Sequence, residues 1–437
     1  MASLGLRFRA RALPPGQVVI DTGGARVTAG ELADLAASAP PGCGPQDIVT
    51  LAPAHVGDLA RLVALLDGKV AALRFLPADL AAQATHALAA PPALVYPYEG
   101  AAVATRWDLA TSGSTGAPKF FAHAFASLAR SVPTPRDRAP SDPAQRGSAP
   151  VWGMLYDPCR FAGLQVLLHA LLGGSRLVAP AADLPFAQRI AALAAGGVTH
   201  LSATPSLWRR VLMAPAARDL ALRQVTLGGE TADQPLLDRL ARQFPAARIS
   251  HHYASTEAGT GFSVHDGIAG FPQEWLDRAP HALALRIRDD MLWIRPDPQT
   301  LRAGREALFD ADGFLCTQDR VELAQGRVRF LGRAGNVINV GGAKVHPERV
   351  EAVLKQHPAV LDCQVVPRPS AMLGALIAAR VVLDPGDAAN GAPPADTIAA
   401  LKRWCREHLP REARPATIEI APELALTRAG KVARVPA

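Results

Sequence analysis

The sequence has few cysteines, few aromatic residues and no long apolar run that could cross a membrane. Five cysteines are scattered over 437 residues, and no two of them form a C-x-x-C pair. This odd, dispersed set argues against a disulfide framework or a zinc site and suits the reducing cytosol. The most apolar uncharged stretch, residues 161–175, is shorter than the roughly 18–20 residues that span a bilayer. We therefore expect no membrane partner and a cytoplasmic protein.

Charged residues are also sparse, at 19% of the chain, and the formal net charge is +7. The basic residues form no stripe or Lys-rich run, so no nucleic-acid partner is expected. No apolar segment follows the arginines near the N-terminus, so we expect no secretory signal. At 49% hydrophobic residues, the chain is too apolar to be disordered and reads as a globular protein.

Short apolar runs alternate with helical patterns along most of the chain. The helical patterns at 55–68, 161–172 and 186–195 each lie between such runs. Parallel strands need crossover helices, so the alternation predicts an α/β fold with parallel sheets. We predict a large N-terminal domain of layered α/β subdomains over residues 1–334. A small, mobile α+β domain is expected over residues 335–437, which hold two helical patterns between strands.

The most distinctive local motif is TSGSTGAPK, residues 111–119. Its glycines allow a close backbone approach, its hydroxyls and N–H groups can surround a polyphosphate, and Lys119 can neutralise negative charge. The spacing does not fit the GxxxxGK[ST] phosphate loop. An ordinary flexible loop can have the same composition, so the motif alone leaves both interpretations open.

The order of the motifs along the chain resembles the adenylate-forming superfamily of acyl- and aryl-CoA synthetases, peptide-synthetase adenylation domains and luciferases. The family's phosphate loop is similar to residues 111–119. Its other motifs follow in the expected order, as GGE at 228–230, HHYASTE at 251–257, DGFLCTQD at 312–319, GRAGNVINVGGAKVHPERVE at 332–351 and LTRAGKVAR at 426–434. Such an ordered set is hard to obtain by chance.

The resemblance implies a site for ATP and AMP. Tyr253 would offer a ring for adenine to stack on, and the turn at Gly229 and Glu230 would contact the base. Asp319 would accept hydrogen bonds from two ribose hydroxyls, assisted by Arg333. The phosphates would lie among Thr111, Ser112, Gly113, Ser114, Thr115, Gly116 and Lys119.

Three residues would carry the chemistry that the resemblance implies. Glu257, after Thr256, stands at the family's magnesium position, and Mg²⁺ prefers carboxylate and phosphate oxygens. Lys431 would reach the α-phosphate and the substrate carboxylate and stabilise the charge that develops there. Without the flanking motifs, Glu257 would be an ordinary surface carboxylate and Lys431 a solvated charge.

The substrate side of the site departs from the family. Arg160 stands where many members have a histidine or an aromatic residue beside the acyl group, and the resemblance also places Gly163 and His252 in this pocket. A guanidinium is costly to bury without an acidic partner. Two alternatives remain open: a salt bridge to a neighbour such as Asp157, or recognition of a second carboxylate or other acceptor on a small aromatic acid.

The segment 332–351 would contain the hinge and the thiol tunnel. Gly335 occupies the hinge position, where the family usually has Asp or Lys. Gly341 and Gly342 would line a hairpin beside the pantetheine tunnel, where side chains would obstruct the thiol. Lys344 would lie beside the same tunnel.

These implications predict a ligase that uses ATP and Mg²⁺ to convert a small aromatic carboxylic acid to an acyl adenylate and then passes the acyl group to coenzyme A. One alternative is a stand-alone adenylation enzyme that loads the phosphopantetheine of a carrier protein in trans, or an amine. Another is a regulatory nucleotide-binding protein without turnover. Intact Lys119, Glu257 and Lys431 argue against that last alternative, and the identity of the acid is open.

Overall fold

The computed structural model describes residues 13–80, 96–97, 100, 103–112, 118–132, 149–257, 259–280, 283–295, 308–384 and 394–433. The α-helices of these residues are α1 (Ala29–Ala37), α2 (Val56–Leu66), α3 (Phe125–Ala129), α4 (Phe161–Leu172), α5 (Phe186–Ala195), α6 (Pro205–Met213), α7 (Gln234–Gln243), α8 (Pro347–Lys355) and α9 (Pro394–His408). Helices α4 and α5 form over the predicted residues.

The described residues also form β-strands, which alternate with these helices in the first half of the chain. They are β1 (Val18–Asp21), β2 (Arg26–Thr28), β3 (Ser38–Ala39), β4 (Ile48–Leu51), β5 (Ala72–Phe75), β6 (Tyr96–Pro97), β7 (Arg106–Ser112), β8 (Pro118–Ala124), β9 (Val151–Gly153), β10 (Arg176–Val178), β11 (His200–Ala203), β12 (Gln224–Gly228), β13 (Arg248–Ser255), β14 (Gly259–Val264), β15 (Phe271–Pro272), β16 (Ala284–Arg288), β17 (Met291–Arg295), β18 (Leu315–Ala324), β19 (Arg327–Arg333), β20 (Ile338–Val340), β21 (Ala343–Val345), β22 (Val360–Ser370), β23 (Gly374–Leu383) and β24 (Thr417–Ile420).

Two sheets are mostly parallel, which confirms the predicted α/β fold. The larger sheet has the order β14-β13-β12-β11-β9-β10-β1-β2, and its strands from β13 to β1 run parallel. The smaller sheet has the order β4-β5-β7-β8, in which β4, β5 and β7 run parallel. Strands β8 and β14 are antiparallel edge strands.

Local sequence explains where several helices begin, and burial explains where they pack. Thr28, Thr204 and Asp233 are N-caps whose side-chain oxygens accept the backbone N–H three residues later. One apolar core covers both parallel sheets and includes the fully buried Trp107 of β7. In the described part of the chain, no helix combines the length and apolarity needed to cross a bilayer.

The later residues form two further sheets, each with its own buried apolar cluster. Strands β15 to β19 form an antiparallel sheet in the order β15-β19-β18-β17-β16. The C-terminal sheet has the order β21-β20-β23-β22, with β24 parallel to β23. The domain boundary after residue 334 stays a prediction, and it falls in the connection between β19 and β20.

Candidate active site

Several candidate residues follow neighbouring strands of the larger sheet. Thr204 follows β11, Gly229 follows β12, and Thr256 follows β13. Because β12 pairs in parallel with both β11 and β13, the carboxyl ends of the three strands meet at one edge. Ligands of open α/β sheets bind outside this edge. The fold therefore brings the GGE and HHYASTE motifs together.

The phosphate-loop motif begins at the end of β7 and finishes at the start of β8, and these two strands pair as an antiparallel hairpin. Thr111 is opposite Lys119 in the register, and its Oγ1 lies 3.4 Å from the Lys119 carbonyl oxygen. The buried His123 of β8 donates from Nε2 to the carbonyl oxygen of Thr256 at 3.0 Å. This bond ties the hairpin to the carboxyl edge. The predicted phosphate-binding residues outside the described part of the chain are Gly113, Ser114, Thr115 and Gly116.

Asp319, the predicted ribose acceptor, lies in β18 and is held by its neighbours. The Tyr253 hydroxyl donates to Asp319 Oδ2 at 2.6 Å, and the Asp319 N–H donates to Thr317 Oγ1 at 3.1 Å. Arg333 lies opposite Asp319 in β19, with 3.9 Å between its Nε and Oδ1. Burial, reinforced by the Asp319 charge, raises the pKa of the Tyr253 hydroxyl well above its ordinary value. The hydroxyl therefore stays protonated and donates.

The ring of Tyr253 already has protein partners. It lies nearly parallel to the rings of Phe262 and Phe330, with centroid separations of 5.2 and 5.4 Å. Such offset stacking is favourable in its own right. Stacking of adenine on Tyr253 stays a prediction, and it would have to use the part of the ring that these two phenylalanines leave uncovered.

The magnesium role of Glu257 stays a prediction, and the residue's position is compatible with an ion that arrives with ATP. Among the residues described above, no group of three or more His, Cys, Asp and Glu side chains could hold a metal ion. Mg²⁺ usually takes one or two protein carboxylates and completes its shell with substrate phosphates and water. The half-buried Glu257, directly after Thr256 at the carboxyl edge, suits that arrangement.

Lys431 lies in a short loop, residues 425–433, which we call the tail loop. Leu426 pairs with Val432 across the loop, and the Thr427 N–H donates to the Lys431 carbonyl oxygen at 2.7 Å. The Lys431 Cε is 3.6 Å from the point where a Cβ on Gly229 would stand. The predicted catalytic lysine therefore lies against the turn after β12, at the same edge as the nucleotide motifs.

Glu230, which was predicted to contact the base together with Gly229, binds two backbone groups. Its Oε2 accepts the Ser206 N–H at 3.0 Å, and its Oε1 accepts the Val432 N–H at 3.3 Å. The base contact of this turn stays a prediction. Gly229 is exposed and has a φ of +80°, a left-handed conformation that favours glycine.

Arg160 forms an ion pair, but with Asp79 and not with the expected Asp157. Its Nη2 lies 2.7 and 2.6 Å from the two Asp79 carboxylate oxygens. Asp157 is occupied elsewhere, because it accepts the N–H groups of Cys159 and Ala78 at 2.9 and 3.2 Å. The Arg160 Nε is buried with no hydrogen-bond acceptor among the described residues. The pair favours the structural alternative, and recognition of a substrate group by Arg160 stays a prediction.

A double-mutant cycle separates the two roles of Arg160. Arg160→Met and Asp79→Asn each remove the same partly exposed ion pair. We therefore expect each variant to lower the free energy of unfolding, and the two effects to be coupled by about 1 kcal/mol in the double variant. Urea unfolding measures the coupling, and kcat/KM over a panel of acids checks specificity. Zero coupling together with a changed ranking of the acids would contradict the structural role and favour substrate recognition.

Gly163 has a packing reason to be glycine. A Cβ at this position would lie 2.1 Å from the carbonyl oxygen of Asp157 and 2.9 Å from the Cα of Pro158. The backbone of the preceding loop therefore fills the space where a side chain would be. The pocket assignment of Gly163 stays a prediction.

His252 lies opposite Gly228 in the register of β12 and β13. Its ring is half-buried and meets the His265 ring edge-on, with centroids 6.3 Å apart. Burial, with a smaller electrostatic effect of the neighbouring His265 and His169, lowers the pKa of His252 to about 3. A neutral imidazole offers one donor and one acceptor to a neighbouring group. The pocket assignment of His252 stays a prediction.

The titration of His252 provides a direct check of this environment. We expect its ring to remain neutral at pH 5, whereas the unfolded chain binds a proton near the ordinary value of 6.5. Stability should therefore fall as the pH drops from about 6.5 towards 3. NMR titration of the ring, with His252→Gln to assign the signal, measures the midpoint. A midpoint near 6.5 would show that the ring is solvated.

The two predicted tunnel glycines have backbone conformations that favour glycine, whereas the predicted hinge glycine Gly335 has no such constraint. Gly341 and Gly342 form the turn between β20 and β21 with φ values of +58° and +92°. The Gly341 N–H donates to the Leu373 carbonyl oxygen at 2.9 Å. Lys344 is exposed in β21, and a Cβ on Gly335 would meet nothing within 4 Å. Their roles in the tunnel and the hinge stay predictions.

Sequence reasoning missed residues that join distant parts of the site. Thr204 before Pro205 is recognisable as an N-cap, because proline favours the first helical position. Its hydroxyl also donates to the carbonyl oxygen of Gly430, which lies 226 residues away. No local pattern predicts a bond over that separation, and the same holds for His123.

Two segments of the chain match known families. Residues 103–290 match the AMP-binding enzyme family, and residues 349–431 match the AMP-binding enzyme C-terminal domain. The first segment contains the hairpin and the carboxyl edge of the larger sheet. The second contains most of the C-terminal sheet and reaches Lys431.

Curated and solved proteins are similar over most of the chain. A probable 2-succinylbenzoate–CoA ligase of Mycobacterium tuberculosis is 29% identical over 337 residues, or 74% of this chain and 81% of that protein. A benzoate CoA ligase from Burkholderia xenovorans has a TM-score of 0.74 at 22% identity, with 98% of both chains covered. The amide bond synthetase McbA from Marinactinospora thermotolerans has a TM-score of 0.66 at 21% identity, again with 98% of both chains covered. At these identities the two structures show a shared fold.

The two matched segments lie in the large N-terminal part and in the C-terminal part of the fold. The motif order, the two family matches and the shared architecture agree with one another. The chain therefore belongs to the AMP-binding enzyme family within the adenylate-forming superfamily, and it is an AMP-forming ligase of the acyl-CoA synthetase type.

Proposed function

We propose that this protein uses ATP to activate a small aromatic carboxylic acid as its acyl adenylate and then transfers the acyl group to the thiol of coenzyme A. The position of Lys431 carries the proposal. The tail loop follows the C-terminal sheet, yet it places this lysine against Gly229 at the carboxyl edge of the larger sheet. The names of the relatives support the substrate class, since two are CoA ligases for a benzoate or a succinylbenzoate.

In the first half-reaction, a carboxylate oxygen of the acid attacks the α-phosphorus of ATP. The bond from that phosphorus to the oxygen bridging to the β-phosphate breaks, and pyrophosphate leaves. We assign Lys431 to the negative charge that develops on the α-phosphoryl oxygens, since fixed positive groups stabilise such charge. Asp319 and Arg333 would hold the ribose. A magnesium ion at Glu257 would neutralise phosphate charge when ATP is bound.

In the second half-reaction, the thiolate of coenzyme A attacks the acyl carbon, and AMP leaves with the electron pair of the carbon–oxygen bond. Lys431 has no role at the acyl carbon in this step. The C-terminal domain would rotate about Gly335, which has room around its Cα for altered backbone angles. Gly341, Gly342 and Lys344 would then lie along the path of the thiol.

Product analysis tests the proposal. The protein would be incubated with ATP, Mg²⁺, coenzyme A and a panel of benzoates, succinylbenzoate, cinnamates and aliphatic acids. We expect AMP and an acyl-CoA in equal amounts with an aromatic acid, and trapping as a hydroxamate when coenzyme A is replaced by hydroxylamine. If the adenylate forms but yields product only with an amine or a carrier protein, coenzyme A is not the acceptor. No AMP with any acid would favour a nucleotide-binding protein without turnover.

A further inference from the structure

We propose that Thr204 and Glu230 form a dock for the tail loop, and that both are positioning residues that hold Lys431 at the nucleotide site during adenylation. This inference rests on the proposed function. It concerns two side chains of the large domain that bind the backbone on either side of the lysine, at Gly430 and at Val432.

Glu230 fixes the residue after the lysine. One carboxylate oxygen accepts the Val432 N–H at 3.3 Å, and the other accepts the Ser206 N–H in the first turn of α6 at 3.0 Å. A carboxylate has only acceptor sites, so it can bind two N–H groups at once. The half-buried Glu230 therefore joins the tail loop to a helix of the large domain.

Thr204 fixes the residue before the lysine. Its Oγ1 accepts the Leu207 N–H at 3.1 Å as the N-cap of α6, and the same hydroxyl donates to the carbonyl oxygen of Gly430. Leu207 covers Gly430 so closely that a Cβ there would lie 2.3 Å from the Leu207 Cδ1. Gly430 also has a φ of +73°. The buried glycine thus allows the loop to approach the helix.

The dock holds the Lys431 backbone at both neighbouring peptide groups, which limits where the ammonium group can reach. These bonds join the large domain to the tail loop, so they must break when the C-terminal domain rotates. An effect of the dock should therefore be confined to adenylation. Misplacement of a catalytic group by about 1 Å can cost about 100-fold in rate.

Glu230→Gln tests the dock with little change in shape. Glutamine keeps one acceptor oxygen but turns an NH₂ group towards the second N–H. We expect the kcat for acid-dependent pyrophosphate release to fall by about 10- to 100-fold. Thioester formation from supplied acyl adenylate should stay within about twofold of the wild type, since that step does not need the dock.

Glu423→Gln is the matched control. Glu423 pairs with Arg210 of α6 at 2.8 Å, so the same chemical change is made between the same two domains without touching Gly430 or Val432. Both side chains are partly exposed, and such pairs contribute little. We expect this variant to behave as the wild type in both half-reactions. Thr204→Ser, which keeps the hydroxyl, should retain more adenylation activity than Thr204→Val.

Two measurements separate positioning from a general structural effect. In the Lys431→Ala background, Glu230→Gln should cause no further loss, because it acts only through the lysine. Amide hydrogen exchange of residues 425–433 should be faster in Glu230→Gln than in Glu423→Gln. Equal losses in both half-reactions, additive losses with Lys431→Ala, or unchanged exchange would each overturn the dock. Wild-type protein without acid-dependent pyrophosphate release would instead refute the proposed function, and the exchange measurement would still test the dock.

Discussion

Replacing Lys431 with alanine is expected to lower acid-dependent adenylation by about 100- to 1,000-fold, the loss that follows removal of one preorganised donor from a developing oxyanion. The reason is the position of the tail loop, which holds the lysine against Gly229 at the carboxyl edge. Alanine removes the ammonium group and leaves the backbone bonds of Gly430 and Val432 to the dock intact. Pyrophosphate release measures the effect.

The second half-reaction supplies the internal control for Lys431. Thioester formation from supplied acyl adenylate should remain nearly intact in Lys431→Ala, because the lysine acts on the phosphoryl group. Arg428→Ala removes another exposed positive charge from the same loop and should leave both half-reactions unchanged. Equal loss of both half-reactions in Lys431→Ala would contradict the assigned role.

Replacing Arg209 with methionine is expected to lower the free energy of unfolding by about 3–5 kcal/mol, because it leaves buried carboxylates without their shared partner. Arg209 is 4% exposed, pairs with Asp233 of α7, and lies 3.5 Å from Asp362 of β22. Its Nε also donates to the Leu361 carbonyl oxygen at 2.9 Å. Lys355 of α8 lies 3.4 Å from Asp233, so the cluster joins both domains.

Urea unfolding at neutral pH measures the loss for Arg209→Met. Burial raises the pKa of Asp233, but the charges of Arg209 and Lys355 outweigh it and lower the pKa from 3.8 to about 2. The stabilisation that corresponds to the lowered pKa of Asp233 is fully present above about pH 3.8 and is lost as the pH falls towards 2. Arg210 is the next residue in the chain, and its partner Glu423 is partly exposed. Arg210→Met should therefore lower the free energy of unfolding by less than about 1 kcal/mol. A similar small loss for Arg209→Met would contradict the buried cluster.

Local patterns predicted much of the architecture. The helices over 161–172 and 186–195 formed at those bounds because apolar periodicity and flanking turn residues are properties of short segments. Parallel pairing followed from the alternation of strands and helices, because parallel neighbours need a crossover. The order of the motifs implied the residues of an ATP site, and the strand pairing then showed that the GGE and HHYASTE motifs meet at the carboxyl edge.

Long-range partners could not be predicted in the same way. Arg160 pairs with Asp79, 81 residues away, although Asp157 is much nearer in sequence. Periodicity says which face of a segment is buried, but not which distant side chain meets it. The bonds from Glu230 to Val432 and from Thr204 to Gly430 depend on how two domains pack. The stacking of Tyr253 on Phe330 likewise depends on contact between two sheets.

Exchange of labelled pyrophosphate into ATP, measured without coenzyme A, tests most directly whether the protein forms an acyl adenylate. If it does, exchange will require a small aromatic acid and Mg²⁺, will continue in the absence of any thiol, and will fall by about 100-fold or more in Lys431→Ala. If ATP binds but no acid supports exchange, or if Lys431→Ala exchanges as fast as the wild type, the account of this site is wrong.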